Sequence, residues 1–321
     1  MTATDNPGGS GVQKTEFGFN YTPWVPFTGP WYAYSTPFTI SAEGHTYLEY
    51  RSIDNSGNVE PNRQEVIRID TVAPEISGSV SPPPNSNGWN NTDVSVSFTA
   101  SDFQSGIYSL TPFETILTDE GAGLSVTGTA IDNAGNSSSL TLGNINIDKT
   151  APAINIISPQ AADYLHSDSL SIAWEVVDHL SGIQTASAML DNQPVVNGQV
   201  IELYALILGA HTLTLQALDN ADNVASQSVT FEVTANINSL LAATSYAFER
   251  GWIEKEGVYK SLLASLEAAQ ASIMNHRYIA ARLQLLSFIH KLNAQREKAV
   301  NLQAYDLLMG DTIYVIEHLE N

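Results

Sequence analysis

The stretch IDTVAP at 69–74 returns as IDKTAP at 147–152, and SIDNSGN at 52–58 returns as AIDNAGN at 130–136. Both pairs are displaced by the same 78 residues (152 − 74 and 132 − 54). A chain that repeats at a fixed period folds as a string of equivalent units, each burying its own core, so this spacing constrains the architecture more than any local propensity. A third Asp-Asn turn, ALDNADN, stands at 217–223. Three Asp-led Ser-Gly segments precede the turns in the same order: DNPGGSGV at 5–12, DFQSGI at 102–107 and DHLSGI at 178–183.

Between these markers apolar and polar residues alternate with period two, the pattern of half-buried strands. Val94, Val96, Phe98 and Ala100 fall on one side of such a run, as do Leu170, Ile172, Trp174 and Val176. The segments entering the turns repeat it, with Leu124, Val126, Gly128 and Ala130 in one copy and Leu213, Leu215 and Ala217 in another. Short strands at intervals of about 8–12 residues, separated by Gly, Asn and Pro, predict a two-sheet sandwich of immunoglobulin type. The Asp-Asn turn then reads as the hairpin between the last two strands.

These motifs resemble the bacterial Ig-like repeats of secreted and surface proteins, in which Asp-x-Ala-Gly-Asn and then Ile-Asp-x-Thr-Ala-Pro join one domain to the next. The resemblance covers about 1–235. It implies one repeat over 1–73 that lacks its first strand and most of its second, and full repeats over 74–151 and 152–235. The first copy is similar to the variant with a long aromatic middle. The third turn departs from the pattern, carrying Asp222 where the others have glycine. Repeats two and three contain no lysine over 75–148 and 153–235, which excludes the internal Lys–Asn isopeptide bonds of some related domains.

After residue 235 the period changes to that of a helix. Leu262, Leu266, Ala269 and Ile273 fall at i, i+4, i+7 and i+11, and Ala281, Leu285, Phe288 and Leu292 repeat the spacing. Residues 239–251 predict a first helix closed by Gly251, and Leu308, Val315 and Leu319 sketch a last one. The tail over 236–321 is therefore expected to be an all-α four-helix bundle. From GWIEKEGVYKSLLASLEAAQASI at 251–273 through AARLQLLSFIHKLNAQ at 280–295 it is similar to the FIMAH helical domain that closes many secreted bacterial proteins, a family that implies an accessory role and no chemistry. The whole is read as multidomain, with all-β immunoglobulin-like sandwiches in tandem ahead of that bundle.

The net charge of −21 is unevenly spread, with 25 acidic and 5 basic residues in 1–235 against 9 and 8 in 236–321. Such a surface repels phosphate backbones and anionic lipid and suits divalent cations. Neither nucleic acid nor membrane insertion is expected: no run of 18 apolar residues is present, and the first residues lack the basic start and apolar stretch of a signal peptide. Met1 standing in the middle of a repeat suggests a piece of a longer chain. The absence of cysteine removes disulfides, thiolate metal sites and a cysteine nucleophile.

Two readings of the acidic motifs stand side by side. Asx side chains close turns by bonding backbone two residues on, without any ligand. Alternatively, Ca²⁺ gathers six to eight oxygens, and each repeat offers an aspartate in the turn, one before Ser-Gly and one in the linker. A sandwich collects its loops at its poles, so Asp102 or Asp178 would approach linker Asp70 or Asp148. A single turn holding a cation by itself would use Asp219 with Asp222. No EF-hand pattern is present. The aromatic cluster, 11 of 28 aromatics within residues 17–50, raises a glycan platform on Trp24, Trp31 and Tyr34, against which core packing accounts for most of the rings.

Seven scattered histidines form no metalloprotease or hydrolase motif, and His179 beside Asp178 is the one adjacent acid–base pair. The sequence thus points to a non-catalytic, monomeric, extracellular or surface spacer that positions an upstream catalytic or adhesive module. The alternative is a module binding polysaccharide or a cell-surface protein through the first repeat or the tail.

Overall fold

The computed structural model describes residues 1–22 and 25–319. The chain is mainly strand, followed by four helices, and it divides into two compact units, Met1–Ile147 and Asp148–Asn321. The expected class, tandem β-sandwich repeats ahead of an all-α tail, is the one adopted.

The first unit opens with one antiparallel sheet of β1 (Val12–Asn20), β2 (Tyr32–Ala33), β3 (Gly44–Asp54) and β4 (Arg63–Ile69), in the order β2-β1-β3-β4. Because side chains alternate along a strand, β1 sends Phe17 and Phe19 to one face and Glu16 to the other. Phe17 stacks on Phe38 at 4.3 Å between ring centroids. On the opposite face Glu16 is buried against Lys14 at 2.5 Å and Arg51 at 3.1 Å. The Lys14 ammonium foremost, with Arg51 beside it, holds the Glu16 carboxyl below its ordinary range against the opposing effect of burial.

The rest of this unit is a sandwich of two three-stranded sheets. One contains β5 (Glu75–Ser81), β6 (Val94–Ser101) and β8 (Glu114–Leu117). The other contains β7 (Ile107–Thr111), β9 (Gly121–Asp132) and β10 (Ser137–Ile147). Val94, Val96, Phe98, Ile145 and Ile147 form its core, each burial worth about 1.5–3 kcal/mol. Phe98 sits where two glycines leave room: a Cβ on Gly128 would lie 2.6 Å from its ring, and one on Gly78 would lie 3.0 Å from it. β9 and β10 are joined by the AIDNAGN turn, with Ile131 opposite Ser137.

In the second unit β11 (Ala153–Ser158) pairs with β14 (Ala173–Val177), and β13 (Ser169–Ser171) with β17 (Val200–Glu202). The main sheet runs β12-β19-β18-β15-β16, comprising β12 (Asp163–Leu165), β15 (Ile183–Leu190), β16 (Gln193–Val195), β18 (Gly209–Asp219) and β19 (Val224–Thr234). After β11 the chain crosses to this sheet, where β12 lies parallel to β19. Leu170, Ile172, Leu213, Leu215, Phe231 and Val233 fill the core. Trp174 and Val176, expected on the same face as Leu170 and Ile172, are only half-buried.

Two residues separate β19 from α1 (Ile237–Glu249). Asn236 caps that helix: its side chain accepts from the Asn238 and Ser239 backbone N–H groups, and Ser239 Oγ accepts from the Asn236 N–H. Gly251, at φ +75°, ends the turn after it. α2 (Glu256–Met274), α3 (Tyr278–Gln295) and α4 (Leu302–Glu317) follow. Leu262, Leu266, Ala269, Ala281, Leu285, Phe288, Leu292 and Leu308 are fully buried and Val315 nearly so, while Ile273 and Leu319, expected on the same stripes, are half-buried at the edge of the bundle core.

Candidate cation site at the linkers

The aspartate and the two asparagines of the turn motif have separate tasks, and the tasks repeat. In AIDNAGN the Asp132 Oδ1 accepts from the backbone N–H of Ala134 (2.9 Å) and Asn136 (2.8 Å). Asn133 Nδ2 donates to the Ser105 carbonyl at 2.9 Å and so fastens the Ser-Gly loop. Asn136 Nδ2 donates both to Asp132 Oδ2 (2.8 Å) and to the Asp70 carbonyl of the linker (3.1 Å). In ALDNADN the same bonds recur: Asp219 Oδ1 takes Ala221 and Asn223 N–H, Asn220 holds the Ser181 carbonyl, and Asn223 reaches Asp148 O at 2.9 Å.

The Ser-Gly loops complete the arrangement. Asp102 Oδ1 accepts from the N–H of Ser105 and Gly106, both at 2.8 Å, while Asp70 Oδ2 accepts from the same Ser105 N–H at 3.1 Å. Likewise Gly182 N–H meets Asp178 Oδ1 at 2.6 Å and Ser181 N–H meets Asp148 Oδ2 at 3.0 Å. The result is two equivalent clusters, Asp70 with Asp102 and Asp132, and Asp148 with Asp178 and Asp219, each offering carboxylate oxygens within 4.8 Å of one another. Each cluster joins a linker to the repeat that follows it, and Asp148 is the first residue of the second unit.

Asp148 and Asp219 are 0 % exposed. Among the described residues none of the six is ion-paired with lysine or arginine. At an effective dielectric of about 20, two unit charges 4.8 Å apart repel by about 3.5 kcal/mol. In the Asp148 cluster each carboxylate accepts from backbone N–H groups. Burial pushes the Asp132 carboxyl upward, but the Asn136 amide and the turn's backbone N–H groups outweigh it and hold the group below its ordinary value. A divalent cation with an oxygen preference fits three converging carboxylates at this spacing.

The pairs Asp70–Asp102 and Asp148–Asp178 are thus brought together, and a third aspartate, from the turn, joins each. Asp222 lies outside its cluster and occupies the left-handed position of the turn, at φ +68°, where Gly57 (+88°) and Gly135 (+94°) sit in the other copies. Asp54 closes the first turn by the same bonds from Ser56 and Asn58, but it belongs to no such cluster among the described residues. Trp24 lies outside the described residues. Trp31 lies under the Arg51 guanidinium at 4.0 Å, whereas Tyr34 meets Phe38 on the Phe17 face, so these two rings do not share a platform.

Two histidine–carboxylate pairs join residues distant in the chain. His166 Nδ1 lies 2.6 Å from Asp311 Oδ1, with Nε2 3.0 Å from the Leu206 carbonyl. His211 Nδ1 lies 2.5 Å from Asp191 Oδ2, with Nε2 2.7 Å from the Ile207 carbonyl. Burial works against the His166 imidazolium, yet the Asp311 carboxylate and the Leu206 carbonyl raise its pKa above the ordinary histidine value. Both ring nitrogens of each histidine are engaged within the fold.

No family model matches the chain, and no curated protein matches it. Among solved structures it is similar to the fibronectin(III)-like modules of Clostridium thermocellum CbhA, at 13 % identity and TM-score 0.25 over 49 % of this chain and 94 % of that one. It is also similar to a Ca²⁺-stabilised adhesin that helps an Antarctic bacterium reach out and bind ice, at 16 % identity and TM-score 0.28 over 72 % and 67 %. A third is protocadherin gamma C5 EC1-3, at 9 % identity and TM-score 0.31 over 60 % and 78 %. The chain is a tandem array of Ig-like β-sandwich repeats with a helical C-terminal region.

Proposed function

We propose that this chain is a non-catalytic spacer of a secreted or surface bacterial protein, closed by a FIMAH-type helical domain, whose linkers are locked by calcium. The observation that carries this reading is the recurrence of one linker lock: three equivalent aspartates converge at each linker, with one turn asparagine holding the Ser-Gly loop and the other the linker. A spacer has to resist bending where one repeat hands over to the next. Neutralising three carboxylates there fixes the linker against the following repeat. The two histidine–carboxylate pairs support a structural role in the same way, since neither imidazole keeps a nitrogen free for proton transfer to a substrate.

Calorimetry of the full chain with Ca²⁺ and with chelator tests the lock. A ligand that binds only the native state adds about 2.7 kcal/mol at 100 times its Kd, so the transitions of both units are expected to rise with Ca²⁺. Transitions indifferent to Ca²⁺ and to chelator refute the calcium lock. A spacer locked in this way is also expected to resist proteolysis at 70–74 and 147–152 more strongly with Ca²⁺ than without; equal cleavage counts against it.

A further inference from the structure

Within the second unit a cavity of about 530 Å³ lies between the turn at Leu203–Ala205, α1, the loop after α1, and α4. That volume falls in the range of small-molecule sites. It is lined by Tyr204, Tyr246 and Trp252, and the His166–Asp311 pair belongs to its wall. Asp311 is 0 % exposed; its Oδ1 is engaged by His166, while Oδ2 has no hydrogen-bond partner. A buried acceptor left unpaired costs stability that a ligand donor would recover. Because Nε2 of His166 must donate to the Leu206 carbonyl, the His166–Asp311 pair shares one further proton between Nδ1 and the carboxylate and is neutral overall.

The three aromatic residues add unused donors. Among the described residues no hydrogen bond is made by the Tyr204 or Tyr246 hydroxyl or by the Trp252 indole N–H. Tyr204 packs on Tyr246 at 4.4 Å and the Arg250 guanidinium lies over the Tyr246 ring at 5.0 Å, while Trp252 stands at 86° to Tyr246 at 5.5 Å, so Tyr204 and Trp252 supply the apolar ring surface. The lining therefore interleaves apolar faces, hydrogen-bond donors and a buried acceptor. Asp306 and Glu202 are exposed at its edge, and no lysine or arginine lines it.

From this combination we infer that the cavity binds a neutral or amino pyranose unit of a glycan. A pyranose ring presents C–H surface to Tyr204 and Trp252. Its hydroxyls donate to Asp311 Oδ2 and accept from the indole and phenol groups. The acidic edge disfavours uronic acids and phosphorylated sugars. This inference does not depend on calcium at the linkers.

The test is saturation-transfer NMR on the full chain in chelator, with methyl glucoside, N-acetylglucosamine, glucosamine and glucuronate as probes. Gly310 lines the cavity on α4, and a Cβ built there meets nothing within 4 Å, so a side chain has room to start there and Gly310→Phe is expected to fill the space. We expect at least one neutral or amino sugar to bind with Kd of about 1 mM or tighter, and Gly310→Phe and Asp311→Asn each to weaken it at least about 10-fold. Circular dichroism melting of Gly310→Phe is expected to match the parent. The inference is overturned if no neutral or amino probe binds, if binding survives Gly310→Phe in a folded variant, or if glucuronate binds as well as the others.

Discussion

Replacing His166 with leucine isolates a buried charge, and its cost is set from both sides by the structure. In the parent, Asp311 is 0 % exposed and its one hydrogen bond is to His166, Oδ2 being unpartnered already. His166→Leu leaves the carboxylate with no partner at all, and removing one member of a buried pair costs about 3–5 kcal/mol. There is also a ceiling, because the orphaned carboxylate can escape by taking up a proton. Neutralising a carboxyl of ordinary pKa 3.8 at pH 7 costs about 4.4 kcal/mol, 1.36 for each of about 3.2 pH units. At pH 5 the same escape costs only about 1.6 kcal/mol. The expected penalty of His166→Leu is therefore about 3–4.4 kcal/mol at pH 7, shrinking to about 1.6 at pH 5. Native-state hydrogen exchange on amides of α4, in the full chain, reads the opening free energy where the change acts. His166→Leu/Asp311→Leu removes the charge as well, and the adjoining cavity takes the extra volume, so the double variant should lie within about 1.5 kcal/mol of the parent. A penalty that does not change between pH 5 and 7, or a double variant no better than the single one, refutes this account.

The parent should show the opposite limb of the same titration. Folding raises the His166 pKa, so the stability it contributes is complete below the ordinary histidine value of 6.5 and is lost as pH rises through the raised folded value. Protection of α4 is expected to fall as pH rises above 6.5 by up to about 1.4 kcal/mol per pH unit, and His166→Leu/Asp311→Leu, which carries neither group, should abolish that slope. In the first unit Phe98→Ala removes a ring that is 3 % exposed and wedged over Gly78 and Gly128, at an expected cost of about 3–5 kcal/mol. Exchange protection of β6 and β9 checks it, with α4 unchanged as the internal control.

The β-sandwich and helical stripes were legible because periodicity carries them. Val94, Val96 and Phe98 at period two, and Leu285, Phe288 and Leu292 at helical spacing, become fully or nearly fully buried. Pairing of linker and Ser-Gly aspartates was legible from loops collecting at a pole. The turn aspartate was offered as a ligand of each repeat, but the convergence of Asp132 on the linker pair was not legible, because closing the turn already accounted for its side chain. The signal lay in the two asparagines around it, whose amides reach loop and linker. His166–Asp311 spans 145 residues, beyond any local pattern. A hint was available: Asp311 falls three residues after Leu308 and four before Val315, a charge on the buried stripe of α4.

The third turn bears on how many cations the proposed lock would hold. Its Asp222 replaces the glycine of the other copies, yet Asp tolerates the left-handed region well enough to keep the turn's hydrogen bonds, so Asp219 still delivers its carboxylate to Asp148 and Asp178. The first turn keeps its glycine and its Asp54 bonds but lacks a clustered linker aspartate among the described residues. Turn geometry and carboxylate clustering are thus separable, and under the proposed calcium lock the convergence of three carboxylates sets the stoichiometry. Two Ca²⁺ per chain are expected by calorimetric titration, with Asp148→Asn leaving one and Asp222→Gly leaving two. A third equivalent, or loss of one in Asp222→Gly, would place the cation on the turn itself and refute the linker geometry.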